Sequence, residues 1–192
     1  MVLSNCTLFP HSLLPLFIFE QRYREMLAYA LENHRMFCLG NLASGPQWSQ
    51  EDESDERIHT LTTAGVVRAC VGRPDGTSHL MLQGVTRLKI VGWEQREPFR
   101  IARVEVIPSI LGNEAENGLA AERLLSLVLE ILKGAGANGH QLATQIKTLK
   151  NPDVIADFVA ANFLGEPANR QQALEIPDVG KRLNYLLTCL GE

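Results

Sequence analysis

Short runs of alternating apolar and polar residues fill the first part of the chain. Alternation with a period of two is the pattern of strands that bury one face of a sheet. The runs cover residues 4–9, 36–42, 58–71, 80–82, 88–90 and 102–106. Between two of them, Pro74-Asp75-Gly76 is strong turn chemistry and predicts a β-hairpin. Gly84 is expected to break the alternation on the return strand of this hairpin.

One segment within this region changes to helical spacing. From residue 19 to residue 31 the apolar side chains recur every three or four positions and predict one amphipathic helix. They are Tyr23, Met26, Leu27, Ala30 and Leu31. A small sheet hides its edges best by curling up. Residues 1–112 are therefore predicted to form a half-open β-barrel with this helix packed against it.

From residue 113 onward, the spacing of apolar residues and the capping residues are typical of helices. Apolar residues between Leu124 and Leu132 share one helical face. Asn151 precedes Pro152, the order expected of an N-cap followed by the first helical position, and Asp178 is placed to cap the last helix. Residues 113–192 are therefore predicted to form a bundle of three or four helices. Together with the barrel domain at 1–112, this gives an α+β fold of two domains.

Composition narrows the class of protein. Of the 192 residues, 45% are hydrophobic and 21% are charged, which suffices for a packed core and excludes a wholly disordered chain. The net charge of −4 argues against a general nucleic-acid binder. Five of the six residues at 51–56 are acidic, and such a charge run is expected to be a solvated loop tip.

The cysteines and the apolar stretches indicate the cellular compartment in which the protein is expected. Cys6, Cys38, Cys70 and Cys189 form no C-x-x-C pair, and no secretory signal opens the chain. The longest apolar stretch, residues 13–19, is far too short to cross a membrane. We therefore expect a cytoplasmic protein with free thiols and no membrane partner.

Motifs of known catalytic chemistry are missing from the sequence. It holds no phosphate-binding loop, zinc-protease motif or nucleophile elbow. Residues 134–139 match G-x-G-x-x-G, but they follow a predicted helix instead of a strand, so a turn is the better interpretation. No two of the five histidines lie three or four residues apart, and no nucleophile has an evident base. We predict no catalytic residue, cofactor, nucleotide or metal.

The first half of the chain resembles the Lon protease N-terminal domain family. Leu8-Phe9-Pro10, residues 14–20 and residues 22–26 are similar to the family's L-F-P followed by P-L-x-I-F-E-x-R-Y-x-x-M. Further on, residues 65–90 resemble its G-x-x-A, D-G and L-L-x-G-x-x-R-F-x-I series, and residues 99–106 its P-[FY]-x-x-A-x-V-E strand.

The second half of the chain continues the resemblance. Ala156-Asp157 and Arg182-Leu183 are similar to the A-D and R-L pairs of the family's helical end, and residues 170–175 to its K-Q-x-L-L-E. Three positions depart from the pattern. His11 stands in place of the Gly that usually follows L-F-P, Gln21 in place of a Pro, and Arg170 in place of the Lys before Gln.

The resemblance implies a PUA-like barrel followed by a helical bundle. It also implies a standalone domain without the family's ATPase and Ser-Lys peptidase, and so a non-catalytic module that binds unfolded polypeptide or a protein partner. The candidate binding residues are Leu14, Phe17 and Phe99, beside a groove between barrel and helix. The residues expected to fix the corner where the strand meets the helix are Phe19, Glu20, Arg22 and Tyr23.

Two alternatives stay open. PUA-like barrels resemble RNA-binding domains, and an RNA site would need Arg87, Lys89, Arg100 and Arg103 on one face, with binding that falls steeply with salt. An enzyme would need a concave pocket with converging titratable groups that the sequence does not reveal.

Overall fold

The computed structural model describes residues 1–49, 54–134 and 136–191. The fold is mixed α+β, as predicted, and divides into two compact units, Met1–Ile107 and Pro108–Glu192. The predicted domain boundary at residue 112 stays a prediction. In the described ranges, no helix is both long and apolar enough to cross a bilayer. Of the acidic run at 51–56, residues 51–53 lie outside the described ranges, and Asp55–Arg57 form a short 3-10 helix.

The first unit is built on a sheet of six strands among the described residues. They are β1 (Val2–Ser4), β2 (Leu13–Ile18), β3 (Met36–Leu42), β4 (Leu61–Gly72), β5 (Ser78–Gln95) and β6 (Ile101–Ile107). The strand order is β1-β3-β4-β5-β2, and β6 also pairs with β5. β1 runs parallel to β3, and the other pairs are antiparallel. Along this path the sheet does not close on itself.

The hairpin between β4 and β5 turns where the sequence predicts it. The backbone N–H of Gly76 donates to the carbonyl of Arg73 at 3.0 Å, and Arg73 donates to Thr77 at 2.8 Å. Pro74 follows Arg73 in this turn, and Gly76 has φ of 81°. This is a type I turn followed by a left-handed residue, the loop that suits Gly.

Replacing Gly76 by Ala is expected to lower the free energy of unfolding by about 1 kcal/mol, because a Cβ disfavours the left-handed conformation. Urea unfolding followed by Trp fluorescence measures the loss. The matched control is Gly72→Ala at the end of β4, where a Cβ would meet only the Ser78 hydroxyl at 3.9 Å. Equal stability of the two variants would contradict the prediction.

Two strands differ from the sequence prediction. The predicted strand at 4–9 is wrong beyond Ser4, because Asn5 takes φ of 58° and turns the backbone out of the strand. β2 is absent from the predicted strands, and it contains Pro15, a residue that usually interrupts a strand. It lies at the end of the sheet. On an edge strand the missing N–H of a proline can face away from the partner and cost no ladder hydrogen bond.

β5 continues through Gly84 as one strand, but its alternation breaks there as predicted, because its register against β4 shifts between Gly84 and Thr86. The backbone N–H of Gly84 donates to Ser12 at 2.9 Å, and its carbonyl accepts from His11 at 3.0 Å. A Cβ at this position would lie 2.8 Å from the carbonyl carbon of Phe9 and would overlap its oxygen. Glycine here permits two backbones to approach closely.

Helix α1 (Gln21–Glu32) agrees with the predicted helix and covers the sheet. Its buried residues Tyr23, Met26 and Leu27 share a core cluster with Leu39 of β3 and Leu82 of β5. Burial of these side chains is the main force that holds the helix on the sheet.

The second unit holds five helices among its described residues, one more than the largest number predicted. They are α2 (Glu114–Leu132), α3 (Gly136–Thr148), α4 (Pro152–Phe163), α5 (Pro167–Leu174) and α6 (Val179–Leu190). Asn151 caps α4 by accepting from the N–H of Asp153, and Asp178 caps α6 by accepting from Lys181, as predicted. Gly134 and Gly136 flank the junction of α2 and α3, so the G-x-G-x-x-G run does not follow a strand.

A buried ion pair joins α4 to α6. Arg182 and Asp157 are both 0% exposed, and the Arg182 Nε lies 3.2 Å from Asp157 Oδ1. Arg182 also pairs with Asp153 and donates to the carbonyl of Ile176 at 2.6 Å. The A-D and R-L pairs of the sequence thus meet in space and fix two helices together.

Candidate functional site

An apolar cavity of about 190 Å³ opens in the first unit. Its walls come from β1, α1, β3 and the β5–β6 hairpin, and we call it the groove. The side chains that line it include Met1, Met26, Tyr29, Met36, Phe37, Cys38, Trp93, Phe99 and Ile101. This volume is below the roughly 300–1,000 Å³ of small-molecule sites, so the groove suits one or two side chains of a larger ligand.

Helix α1 forms one wall of the groove. Met26 and Ala30 face inward and are buried, whereas Tyr29 projects to the rim, with its ring 5.8 Å from that of Phe99. Tyr23 anchors the wall, because its hydroxyl donates to the carbonyl of Val2 in β1 at 2.6 Å. The helix spacing that places Met26 and Ala30 on one face therefore also builds the wall.

The tip of the β5–β6 hairpin forms the opposite wall. Trp93 and Phe99 supply aromatic surface, and the guanidinium of Arg100 lies 6.0 Å from the Trp93 ring centroid. Asp55 holds the tip in place by accepting from Arg96 at 2.8 Å and from Arg100 at 3.4 Å. The arginine side chains at this end are thus tied to a carboxylate.

The floor near β3 carries little charge at neutral pH. The α-amine of Met1 donates to the carbonyl of Cys38 at 3.0 Å, and burial lowers the pKa of this amine to about 6. Burial also raises the pKa of the Cys38 thiol, which the charge of the amine opposes. Both groups are therefore mainly neutral, which suits an apolar ligand.

A second cavity of about 250 Å³ adjoins the groove and shares Met26, Phe99 and Arg100 with it. Arg22 and Arg96 give this neighbouring space a more polar lining. A ligand that extends beyond the groove would therefore pass from apolar to polar surroundings.

The structure separates the three predicted binding residues. Phe99 lines the groove, whereas Leu14 packs against the core cluster under α1. Phe17 lies on the outer face of β2 at 43% exposure, with its ring 4.7 Å from His79 and 5.8 Å from Phe19. Phe17 and Phe99 thus mark two different apolar surfaces.

Three of the four residues predicted to fix the corner before α1 contact one another. Glu20 is the N-cap residue of α1 and accepts from Arg22 at 2.8 Å. The Arg22 guanidinium lies 4.6 Å from the centre of the Tyr23 ring. Phe19, two residues before α1, is exposed beside Phe17.

The four basic residues of the RNA hypothesis do not share one surface. Arg87 is buried at 2% exposure, whereas Lys89 and Arg103 are exposed on β5 and β6. Arg100 is engaged by Asp55. In the part of the chain that the structure describes, no three His, Cys, Asp or Glu side chains converge as metal ligands.

Sequence reasoning missed most of the groove. The sequence predicts Met26 only as part of the apolar stripe of a helix and Met36 only as part of a strand, and it places Trp93 in no predicted element. Nothing local distinguishes a groove-lining side chain from a core one. The spacing of Met26 and Tyr29 along α1 was the available signal, since Tyr29 extends the apolar stripe toward the rim.

Comparison with known proteins gives consistent matches. The family model of the ATP-dependent protease La (LON) substrate-binding domain matches residues 1–192. Lon protease of Paraburkholderia phytofirmans is 29% identical over 193 residues, which is 97% of this chain and 23% of that protein. Lon protease of Escherichia coli K12 is 22% identical over 188 residues, or 98% of this chain and 24% of that protein. The chain thus spans about a quarter of the length of the curated relatives it matches.

Solved structures share the fold. The N-terminal domain of Mycobacterium avium complex Lon protease superposes with a TM-score of 0.79 at 14% identity, covering 99% of this chain and 95% of that one. A Lon N-terminal domain protein from Xanthomonas campestris gives a TM-score of 0.68 at 17% identity, covering 99% and 97%.

Proposed function

This chain belongs to the ATP-dependent protease La (LON) substrate-binding domain family, and on that premise we propose that it is a non-catalytic module that binds unfolded polypeptide. The observation that carries the proposal is the groove, whose lining of methionine and aromatic side chains is adaptable and apolar. Methionine side chains repack around ligands of different shape, as binding of many unfolded sequences requires. The match covers only the substrate-binding domain of the relatives, which supports a role without ATP hydrolysis or peptide cleavage.

We interpret the open sheet with α1 as a PUA-like half-open barrel, and the second unit as a helical bundle. Within this interpretation the groove lies where the barrel is incomplete. Of the three candidate binding residues, we retain Phe99 as a residue of the binding site in the groove. Phe17 represents the alternative location of the site, on the outer face of β2.

Phe99→Ala is expected to weaken binding of an unfolded polypeptide about tenfold or more, because aromatic residues at the centre of an interface carry much of its binding energy. Fluorescence anisotropy with a labelled, reduced and carboxymethylated protein measures this. Phe17→Ala is the matched control and should bind as the original chain does.

The reverse pattern, loss with Phe17→Ala and none with Phe99→Ala, would move the site to the outer face of β2. Circular dichroism of each variant shows whether it is folded. Binding of nuclease-treated protein at low and high salt tests the RNA alternative, since contacts to phosphates weaken steeply with salt. If polypeptide binding is absent while RNA binds at low salt, the proposed function is wrong.

A further inference from the structure

We propose that the groove holds its ligand as an added β-strand, hydrogen-bonded to the outer edge of β3 at Met36 and Cys38. The inference rests on the proposed function and specifies the form of the ligand, an extended segment with apolar residues at alternate positions. Its basis is a stretch of strand edge that the fold leaves open.

β3 is covered unevenly by its neighbours. On one side β4 pairs with it from Met36 to Leu39. On the other side β1 pairs with it only from Gly40 to Leu42. Among the described strands, none pairs with the outer edge at residues 36–38.

The hydrogen bonds show which backbone groups point to this edge. Val67 of β4 donates to the carbonyl of Arg35 at 2.8 Å. Because bonded and non-bonded pairs alternate in an antiparallel ladder, Phe37 and Leu39 face β4, and Met36 and Cys38 face outward. The contacts of Met1 agree, since its amine reaches the Cys38 carbonyl at 3.0 Å and its carbonyl accepts from Gly40 at 2.9 Å. The Cys38 N–H and both backbone groups of Met36 are directed at the open edge.

The open edge lies inside the groove. Met36, Phe37 and Cys38 all line the cavity. Successive side chains of a strand point to opposite faces of the sheet, so a cavity lined by three consecutive residues lies at the strand edge. A small molecule would leave this row of backbone groups without partners, whereas another polypeptide backbone satisfies them.

The two faces of β3 indicate the side chains that such a ligand would carry. Phe37 and Leu39 belong to the core cluster of α1, whereas Leu42, on the other face, packs near Trp93. Alternate residues of an added strand would therefore point toward α1 and toward Trp93. Both surroundings are apolar, so large uncharged side chains are favoured at those positions.

The test uses a labelled peptide in which Phe and Val alternate with Thr, and anisotropy to measure its affinity. Cys38→Pro removes the outward N–H without touching a hydrogen bond to β4, since proline is tolerated where that side of a strand has no partner. It should weaken binding about tenfold relative to Cys38→Ala, which keeps the N–H. Two further peptides carry N-methyl groups, one at the odd and one at the even residues. Only the peptide whose methylated nitrogens face β3 should bind more weakly, since the other set of nitrogens points away from it. This result does not depend on whether Cys38→Pro folds.

Hydrogen exchange gives the direct readout, with the amides of Met36 and Cys38 protected when the peptide is bound. If the peptide binds but neither proline nor methylation weakens it, strand addition is overturned and the proposed function stands. If no peptide binds, both fail. Protection of the same amides by self-association, without peptide and rising with protein concentration, would assign the edge to a second copy and overturn the proposal.

Discussion

Arg182→Ala is expected to lower the free energy of unfolding of the helical unit by about 3–5 kcal/mol, the usual cost of removing one partner from a buried ion pair. Both Arg182 and Asp157 are fully buried, so the substitution takes the guanidinium partner from a carboxylate that bulk water does not reach. The substitution also takes hydrogen bonds from Asp153 and from the Ile176 carbonyl, and it removes the largest side chain of this core.

Urea unfolding followed by circular dichroism measures this loss, because the second unit is helical. The control is Lys133→Ala, which deletes a 2.6 Å ion pair to Glu130 whose side chains are 71% and 66% exposed. Exposed pairs contribute little, so its effect should be below about 1 kcal/mol. A loss below 1 kcal/mol for Arg182→Ala would show that the buried pair does not hold α4 and α6 together.

Gly84→Ala is expected to lower the free energy of unfolding of the first unit by about 3 kcal/mol or more, since relieving the overlap requires backbone shifts. The new methyl group would meet the carbonyl of Phe9. That backbone cannot move freely, because Gly84 is hydrogen-bonded to Ser12 and to His11 on either side. Trp48 and Trp93 both lie in this unit, so Trp fluorescence in urea measures its unfolding.

Gly92→Ala, in the same strand, is the control. It distinguishes the effect of a clash with another backbone from the general effect of adding a methyl group to β5. There a Cβ would meet the end of the Arg103 side chain at 2.7 Å, and that flexible guanidinium can move aside. We expect a change of less than about 1 kcal/mol. Similar losses for both variants would contradict the account of Gly84 as a point of backbone contact.

Local signals account for the elements that the sequence predicts. Helix α1, strand β3, the turn at Gly76 and the cap at Asn151 each depend on residues adjacent along the chain. Elements that depend on distant residues were missed or misjudged. The need for glycine at position 84 comes from the close approach of the Phe9 backbone, which is distant along the chain.

The groove was predictable only in part, because it too depends on contacts between residues that are distant along the chain. Phe99 was a candidate because of the family resemblance, but its neighbours Met26, Met36 and Trp93 come from three separate elements. Their convergence depends on how β5 and β6 turn back toward β3. The ion pair of Arg182 with Asp157 was present in the sequence only as two unconnected motif fragments.

The structure explains one departure from the family pattern, the histidine at position 11. It has φ of 63°, and the N–H of Ser12 donates to the carbonyl of Phe9 at 3.2 Å. A turn that begins at Phe9 with Pro10 second and a left-handed third residue is of type II, which favours glycine at that third place. The usual glycine of the motif is therefore explained by the backbone, and the histidine occupies its conformation.

Pro15 has a consequence for how copies of this protein meet in a crowded solution. An exposed strand edge is a template on which identical chains can stack and aggregate. The hydrogen bond from Gly84 to Ser12 sets the alternation along β2, so the nitrogen of Pro15 faces away from β5 and offers no donor there. The edge of β3, in contrast, opens into a cavity between a helix and a hairpin. Since that cavity holds only about 190 Å³, a single extended chain would fit there more readily than the edge of a second sheet, so the edge of β3 is less open to stacking than a free edge in solvent.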